Sequence, residues 1–178
     1  LLMNALLGFT LWYIIAYPQK PYYFATNLGG RIMPVFPLNE PNQSDTSVED
    51  WVSKAAAAAF TYNYSNYRRE FQSASGFFTG VGWSQFLQAL KSSNNLSAII
   101  QKKMLVSAQI AKRPSVLNRG RVNGRFGWKI KVPLLITYQS TLTYTQQRVD
   151  AIVIVVRVST LNSPSGIGIE QFVVGPAQ

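Results

Sequence analysis

The chain has 178 residues, of which 47% are hydrophobic and only 13% are charged, and its formal net charge is +10. It contains neither cysteine nor histidine, which excludes disulfides, thiol chemistry, and the commonest general base and transition-metal ligand. This length suits one domain with an appendage, and the positive charge favours anionic partners such as nucleic acid, phospholipid headgroups or acidic proteins.

The first predicted element is a membrane anchor at residues 1–17, LLMNALLGFTLWYIIAY, which contain no charged residue. A segment of about 17 residues is near the lower limit for a bilayer-spanning helix, so we expect the anchor to begin upstream of residue 1. Aromatic residues near its end are typical of a membrane interface. The predicted anchor residues are Leu6, Leu7, Phe9, Leu11, Trp12, Ile14 and Ile15. A cleaved signal peptide and a buried helix are the alternatives, although no basic n-region or A-x-A site is visible.

A connector is predicted next. Residues 18–47 contain five prolines and a Gly29–Gly30 pair, which together are incompatible with a continuous helix. Within this connector, RIMPVF (31–36) predicts a short edge strand. Residues 48–178 are left as the folded domain.

The domain is predicted to open with a helix, capped by a box of Ser47 with Asp50 or of Thr46 with Glu49. Apolar residues then recur every three or four positions, at Val52, Ala56, Phe60, Tyr64, Tyr67 and Phe71. This stripe predicts that the aromatic block TYNYSNYRREF (61–71) continues the buried face of that helix. The alternative is a nucleic-acid stacking platform, which needs its rings exposed together.

Two shorter helices and a run of strands are predicted after this block. The helices cover 83–93 and NNLSAIIQKK (94–103), the latter capped by Asn94 or Asn95. MLVSAQIAK (104–112) and FGWKIKVPLLITYQS (126–140) alternate as strands do, and Pro133 suggests an edge position or a bulge. RVDAIVIVVRVST (148–160) is apolar on both faces, as in a central strand, and IGIEQFVVG (167–175) is the last strand.

Helices followed by a meander of about four strands predict an α+β domain. We expect a curved antiparallel sheet with the helices packed on its concave face. The predicted core side chains are Trp51, Phe60, Tyr64, Tyr67, Phe71, Trp83 and Trp128.

A strongly basic stretch lies between Lys102 and Lys131, with nine basic residues and no acidic one. Much of it is KRPSVLNRGRVNGRFGWK (112–129), whose glycines predict an exposed, flexible hairpin. The candidate partner contacts are Arg113, Arg119, Arg121, Arg125, Lys129 and Lys131. A protein partner, anionic lipid, nucleic acid and a merely solvated hairpin are the interpretations left open.

No catalytic, cofactor-binding or metal-binding residues are predicted. The stretches GRVNG and GFFTGVG lack the lysine or acidic partner and the strand–helix setting of a nucleotide-binding loop. Four of the seven carboxylates lie in the connector or at the start of the first helix, where capping and the helix dipole explain them. A pocket-bearing enzyme or small-ligand binder on the same fold is the alternative hypothesis.

Several stretches together resemble one family over about residues 22–173. They are YYFATNLGGRI, FTYNYSNYRREF, FFTGVGWSQFLQAL, SNNLSAIIQKK, LLITYQS, QQRV and PSGIGIEQFV. The chain resembles the DotI/IcmL family, whose conjugative relative is TraM of type IVB systems. The Tyr-Asn-Tyr block and the Gly-Ile-x-Ile-x-Gln block are the more specific parts of the resemblance.

The resemblance implies a non-enzymatic structural subunit in the inner-membrane complex of a type IVB (Dot/Icm) secretion system. It implies a single-pass protein of the bacterial inner membrane, with a periplasmic domain of cystatin-like or nuclear-transport-factor-like fold. The implied partners are further copies of the chain and other secretion subunits, with no cofactor. Neither a small molecule nor nucleic acid is an expected partner, and a nucleic-acid contact surface on a conjugation-like path is retained as an alternative.

Overall fold

The computed structural model describes Trp12 and residues 24–26, 32–34 and 37–177. The chain divides into two compact units, Leu1–Pro37 and Leu38–Gln178. In the first unit, strand β1 (Phe24–Thr26) pairs antiparallel with β2 (Ile32–Pro34). The strand expected in RIMPVF is therefore present, and its partner is the segment that precedes it.

The predicted membrane anchor lies outside the described residues, except for Trp12, which is helical and exposed. The anchor residues Leu6, Leu7, Phe9, Leu11, Ile14 and Ile15 belong to the part that is not described. Within the described part of the chain, no helix has the length and apolar character needed to cross a membrane.

The second unit opens with residues that the sequence assigns to the connector. The side-chain amides of Asn42 and Gln43 donate to the Ser165 carbonyl at 3.3 and 3.2 Å. The Phe126 amide donates to the Leu38 carbonyl at 2.8 Å. Residues 38–44 are thus bonded to the loop that contains Ser165 and to the strand that contains Phe126. They belong to the folded unit.

Helix α1 (Asp45–Ala59) is capped by Ser44, whose hydroxyl accepts from the Ser47 amide at 3.2 Å. The cap predicted at Thr46 or Ser47 is wrong, because both residues lie inside the first turn. The buried face of α1 consists of small and β-branched side chains, which allow the helix to approach the sheet closely. These residues are Val48, Val52, Ala55, Ala56 and Ala59.

The aromatic block does not continue α1 as its spacing predicts. After Ala59 the chain forms the short strand β3 (Tyr62–Asn63) and then a new helix, α2 (Tyr67–Ser75). The asparagines cause the break: the Asn63 side chain accepts from the Asn66 amide at 2.9 Å, and the Asn66 side chain accepts from the Asn63 amide at 2.8 Å. Such bonds offer the backbone an alternative to the helix.

This turn reverses the burial expected at Tyr64. Its side chain is 46% exposed, so the predicted core position is wrong. Tyr62 is buried in its place, with its ring edge-on to Phe71 at a centroid distance of 4.8 Å. Of the other predicted core residues, Phe71 and Trp128 are buried, and four are partly buried against the core: Trp51, Phe60, Tyr67 and Trp83.

Two further helices complete the helical layer. Helix α3 (Gly80–Ser92) is capped by Thr79, whose hydroxyl accepts from the Gly82 amide. Helix α4 (Asn95–Gln101) follows Asn94, which has a left-handed backbone and makes no side-chain cap bond. Aromatic rings from α3 and the last strand cluster between the layers, with Phe86 and Phe172 at 5.9 Å.

The sheet has six antiparallel strands and is curled, which makes the unit an α+β fold. Its order is β3-β4-β6-β7-β8, with β5 paired alongside β6. The further strands are β4 (Leu105–Ile110), β5 (Ser115–Val122), β6 (Arg125–Gln139), β7 (Tyr144–Arg157) and β8 (Ile167–Pro176). The expectation of about four strands is too low because it omits β3 and β5.

Pro133 lies at a local edge of β6, as predicted, and not at a bulge. It is opposite Asp150 of β7 on one side. On its other side β6 is shared by two strands, β5 as far as Lys131 and β4 from Leu134 onward. A proline is tolerated between them because no strand there requires its missing amide.

Candidate partner-binding surface

The basic stretch forms an ordered strand pair. Strands β5 and β6 run antiparallel from Ser115 opposite Lys131 to Val122 opposite Arg125. Asn123 and Gly124 make the turn, with φ of 50° and 78°. Two positive φ angles at the centre of a two-residue loop match the twist of the strands, and Asn-Gly is the preferred sequence for them. The hairpin expected here is present, and its strand pairing and tight turn give it regular β structure.

Four of the six candidate basic residues are neutralised within the chain. Arg113 bonds to Glu49 at 3.2 Å, and Arg119 bonds to Asp45. Both carboxylates lie at the N-terminal end of α1, so these pairs fasten the hairpin side of the sheet to that helix. The remaining pairs are Arg125 with Glu170 at 3.0 Å and Lys131 with Asp150 at 2.8 Å.

The other two candidates, Arg121 and Lys129, are exposed. Neither side chain makes a hydrogen bond or an ion pair with another residue that the structure describes. Their charge is available to an external partner. The structure therefore separates the candidate set into four residues with a carboxylate partner in the same chain, of which Arg125 and Lys131 are partly buried, and two exposed residues without one among the described residues.

Glu170 is a residue whose role the sequence does not reveal. Its carboxylate accepts from the Thr79 hydroxyl at 2.7 Å and from Arg125 at 3.0 Å. Because Thr79 also caps α3, one carboxylate joins β8, the start of α3 and the hairpin. The only sequence signal is that Glu170 is an acidic residue inside an otherwise apolar strand.

A buried charge, Arg157, is the last residue of β7, and it bonds to the loop that follows this strand. Its side chain is 2% exposed and donates to the carbonyls of Glu40 and Gly166 at 3.1 and 2.8 Å. Burial lowers the pKa of its guanidinium from the ordinary value. Arg157 thus joins the start of the folded unit to the loop between β7 and β8.

An apolar groove of about 320 Å³ opens between α3 and the sheet. Phe60, Leu90, Tyr138 and Phe172 are among its lining residues, and no carboxylate is among the described residues that line it. Burial raises the pKa of the Tyr138 hydroxyl, which therefore keeps its proton at neutral pH.

Metal binding has no support in the described part of the chain. No group of three or more Asp or Glu side chains there is placed to hold a metal ion. The carboxylates that approach other charged groups approach arginine or lysine instead.

Comparison with known proteins identifies the family. The family model for the type-IV b secretion system inner-membrane complex component matches residues 1–176. The chain belongs to the DotI/IcmL family. No curated protein sequence matches the chain.

Solved structures agree with DotI/IcmL membership. The periplasmic domain of DotI is 54% identical, with a TM-score of 0.75, and the match covers 78% of this chain and 100% of that one. A periplasmic fragment of TraM is 25% identical, with a TM-score of 0.69, and covers 75% and 98% of the two chains. CagV of Helicobacter pylori, a VirB8 homolog, is 12% identical at a TM-score of 0.57, covering 75% and 100%, which shows a shared fold alone.

Proposed function

We propose that this DotI/IcmL protein is a structural subunit that multimerises and links the inner-membrane and periplasmic parts of a type IVB secretion machine. The observation that carries the proposal is the family match over residues 1–176, together with 54% identity to the periplasmic domain of DotI. The described side chains agree with a structural role, because Glu170 and Arg157 bond to neighbouring strands, loops and a helix start within the folded unit.

We further propose that residues 1–17 anchor the chain in the bacterial inner membrane and that the folded unit lies in the periplasm. The support is the uncharged first segment and the periplasmic origin of the DotI and TraM structures. An anchor restricts subunits to a plane and raises their effective concentration. Weak contacts between folded units are then sufficient for assembly.

Among the hairpin residues, Arg121 and Lys129 are the proposed contacts with neighbouring subunits. They are exposed and make no bond to the described residues, whereas Arg119 and Arg125 are held by carboxylates of the same chain. Replacing the paired arginines would therefore disturb the fold before it tested a contact.

A complementation experiment tests the proposed function. A strain that lacks only the gene for this chain, with all other secretion genes intact, would receive the wild-type chain. Delivery of a reporter substrate into recipient cells would then be measured. We expect the wild-type chain to restore delivery and the double variant R121E/K129E to reduce it at equal protein abundance. Delivery that is unaffected by deletion of the gene would contradict the structural role.

A further inference from the structure

A concave site lies where β4 and β5 leave β6. β4 ends at Ile110 and β5 begins at Ser115, so the connection between them departs from the sheet beside Pro133. The Ala111 amide donates to the Pro133 carbonyl at 2.9 Å and fixes the start of this connection. The result is a cavity of about 640 Å³, which we call the basic bay.

Four cationic side chains line the basic bay, against one carboxylate, Asp150. They are Lys112 and Arg113 from the connection, Lys131 from β6 and Arg148 from β7. Lys131 is held by Asp150 at 2.8 Å, and Arg113 is held by Glu49 at 3.2 Å. The side chains of Lys112 and Arg148 are exposed and bond to none of the residues that the structure describes.

The charge of the bay calls for an anionic occupant, and a second copy of the chain does not supply one. The chain carries only seven carboxylates and a net charge of +10. Five of the seven are engaged in ion pairs within the chain: Asp45, Glu49, Glu70, Asp150 and Glu170. Two copies would bring like charges together, which costs free energy.

The lining of the bay favours a peptide over a phosphate polymer. Its surface between the cations is apolar and aliphatic, with Pro133, Leu135 and Val149. Among the described residues that line it there is no aromatic ring on which a base could stack. A peptide that carries both carboxylates and aliphatic side chains complements the cations and the surface between them.

We propose that the basic bay binds an extended acidic segment of a different protein, with Lys112 and Arg148 as the residues that pair with its carboxylates. The proposal deepens the proposed function, since the partner it describes is another subunit of the same machine. It adds a contact with a different subunit, at the connection between β4 and β5, to the contacts proposed at Arg121 and Lys129.

The test uses the full chain in detergent micelles and a labelled decapeptide of alternating glutamate and leucine as the probe. The double variant K112E/R148E should bind the probe about tenfold or more weakly than wild type at near-physiological salt. K102E/K103E is the matched control, because it reverses two exposed cations whose side chains bond to none of the described residues, and it changes the net charge equally. We expect the control to bind the probe as wild type does.

Three results would overturn the proposal. They are equal probe binding by wild type and K112E/R148E, a larger loss in K102E/K103E, and tighter binding of single-stranded DNA or phosphatidylglycerol vesicles than of the peptide. The particle mass of the wild-type chain tests the proposed function independently of peptide binding. An assembled particle that does not bind the peptide would contradict the proposed binding of an acidic segment in the basic bay. It would leave the structural role of the chain intact.

Discussion

The Arg125 guanidinium donates to the Glu170 carboxylate at 3.0 Å, across 45 residues of sequence. Both side chains are largely buried, at 27% and 13% exposure. This pair joins the hairpin to β8, and through Thr79 it reaches the cap of α3. An arginine that the sequence presents as a surface charge is therefore part of the connection between the two layers.

Removal of the Arg125 side chain tests this connection. We expect R125A to lower the free energy of unfolding by about 1–2 kcal/mol, because Glu170 loses a charge-assisted partner in a partly buried position. R121A, on the same hairpin, should change stability by less than about 0.5 kcal/mol because Arg121 is exposed and unpaired in the described structure. Urea denaturation would measure the free energy of unfolding of both variants. Equal losses of stability in R125A and R121A would contradict the role given to the pair of Arg125 with Glu170.

Close contact between α3 and β8 predicts a large effect at Gly82. A Cβ atom there would lie 2.2 Å from the Ile169 carbonyl oxygen, so G82A should destabilise the unit by about 2–3 kcal/mol. Gly80 is the control in the same helix turn, since a Cβ there meets nothing within 4 Å. We expect G80A to be neutral or stabilising by about 0.5 kcal/mol. Thermal unfolding that ranks the two variants the other way would show that α3 is not seated on β8.

Loss of the buried Arg157 side chain should also be costly. R157M removes the donors to the Glu40 and Gly166 carbonyls, and we expect a loss of about 2–3 kcal/mol. R148M makes the same substitution at an exposed position of the same strand and should leave stability unchanged. Chemical denaturation provides the comparison, with limited proteolysis of residues 158–166 as a second readout. An unchanged digestion pattern in R157M would contradict the role given to Arg157.

Tyr62 predicts a loss of stability in alkali. Burial raises the pKa of its hydroxyl far above 10.0, and the charge of Tyr138 raises it further. A raised pKa in the folded state means that the stabilisation is complete below about pH 10 and is lost as pH rises above that value. In wild type, this titration should lower the free energy of unfolding by up to about 1.4 kcal/mol per pH unit, and Y62F should lack that contribution.

The alkaline prediction has a matched control in Tyr144, whose ring is exposed. Unfolding free energies of wild type, Y62F and Y144F would be measured from pH 8 to 11 by denaturant titration. We expect Y144F to follow the wild-type slope and Y62F to decline less steeply. Identical slopes in all three proteins would contradict the burial of a protonated Tyr62.

Strong alternation made most of the sheet predictable. The faces of β6 are set by apolar residues at every second position, and Trp128, Ile130 and Val132 are buried as that pattern indicates. Strand β5 has no such pattern, since SVLNRGRV mixes glycine, asparagine and arginine. It becomes a strand because the Asn123–Gly124 turn brings β6 back alongside it, so that β6 supplies the backbone hydrogen bonds of the pair.

The aromatic block shows how a correct period leads to a wrong helix. The spacing from Val52 to Phe71 fits one helical face, yet the side chains of Asn63 and Asn66 bond to the backbone and divide it. Tyr67 and Phe71 still reach the core because α2 resumes a helical path beside β3. Local spacing indicates burial well here, but it does not detect a turn made by side-chain bonds.

The candidate surface was predictable in composition and not in geometry. Sequence identifies the basic residues, but their carboxylate partners lie far away in the chain, as Asp45 does from Arg119. Which cations are neutralised depends on how α1 and β8 pack around the hairpin. The exposed pair Arg121 and Lys129, and the basic bay, become distinguishable only in the folded unit.

The central claim is that the chain works as a structural subunit in an assembly. The most direct test is the particle mass of the chain after extraction from bacterial membranes in mild detergent. We predict a particle many times heavier than the 19.9 kDa of the chain described here, with other secretion subunits bound. A monomer without companions, in membranes where the remaining secretion subunits are present, would contradict the account.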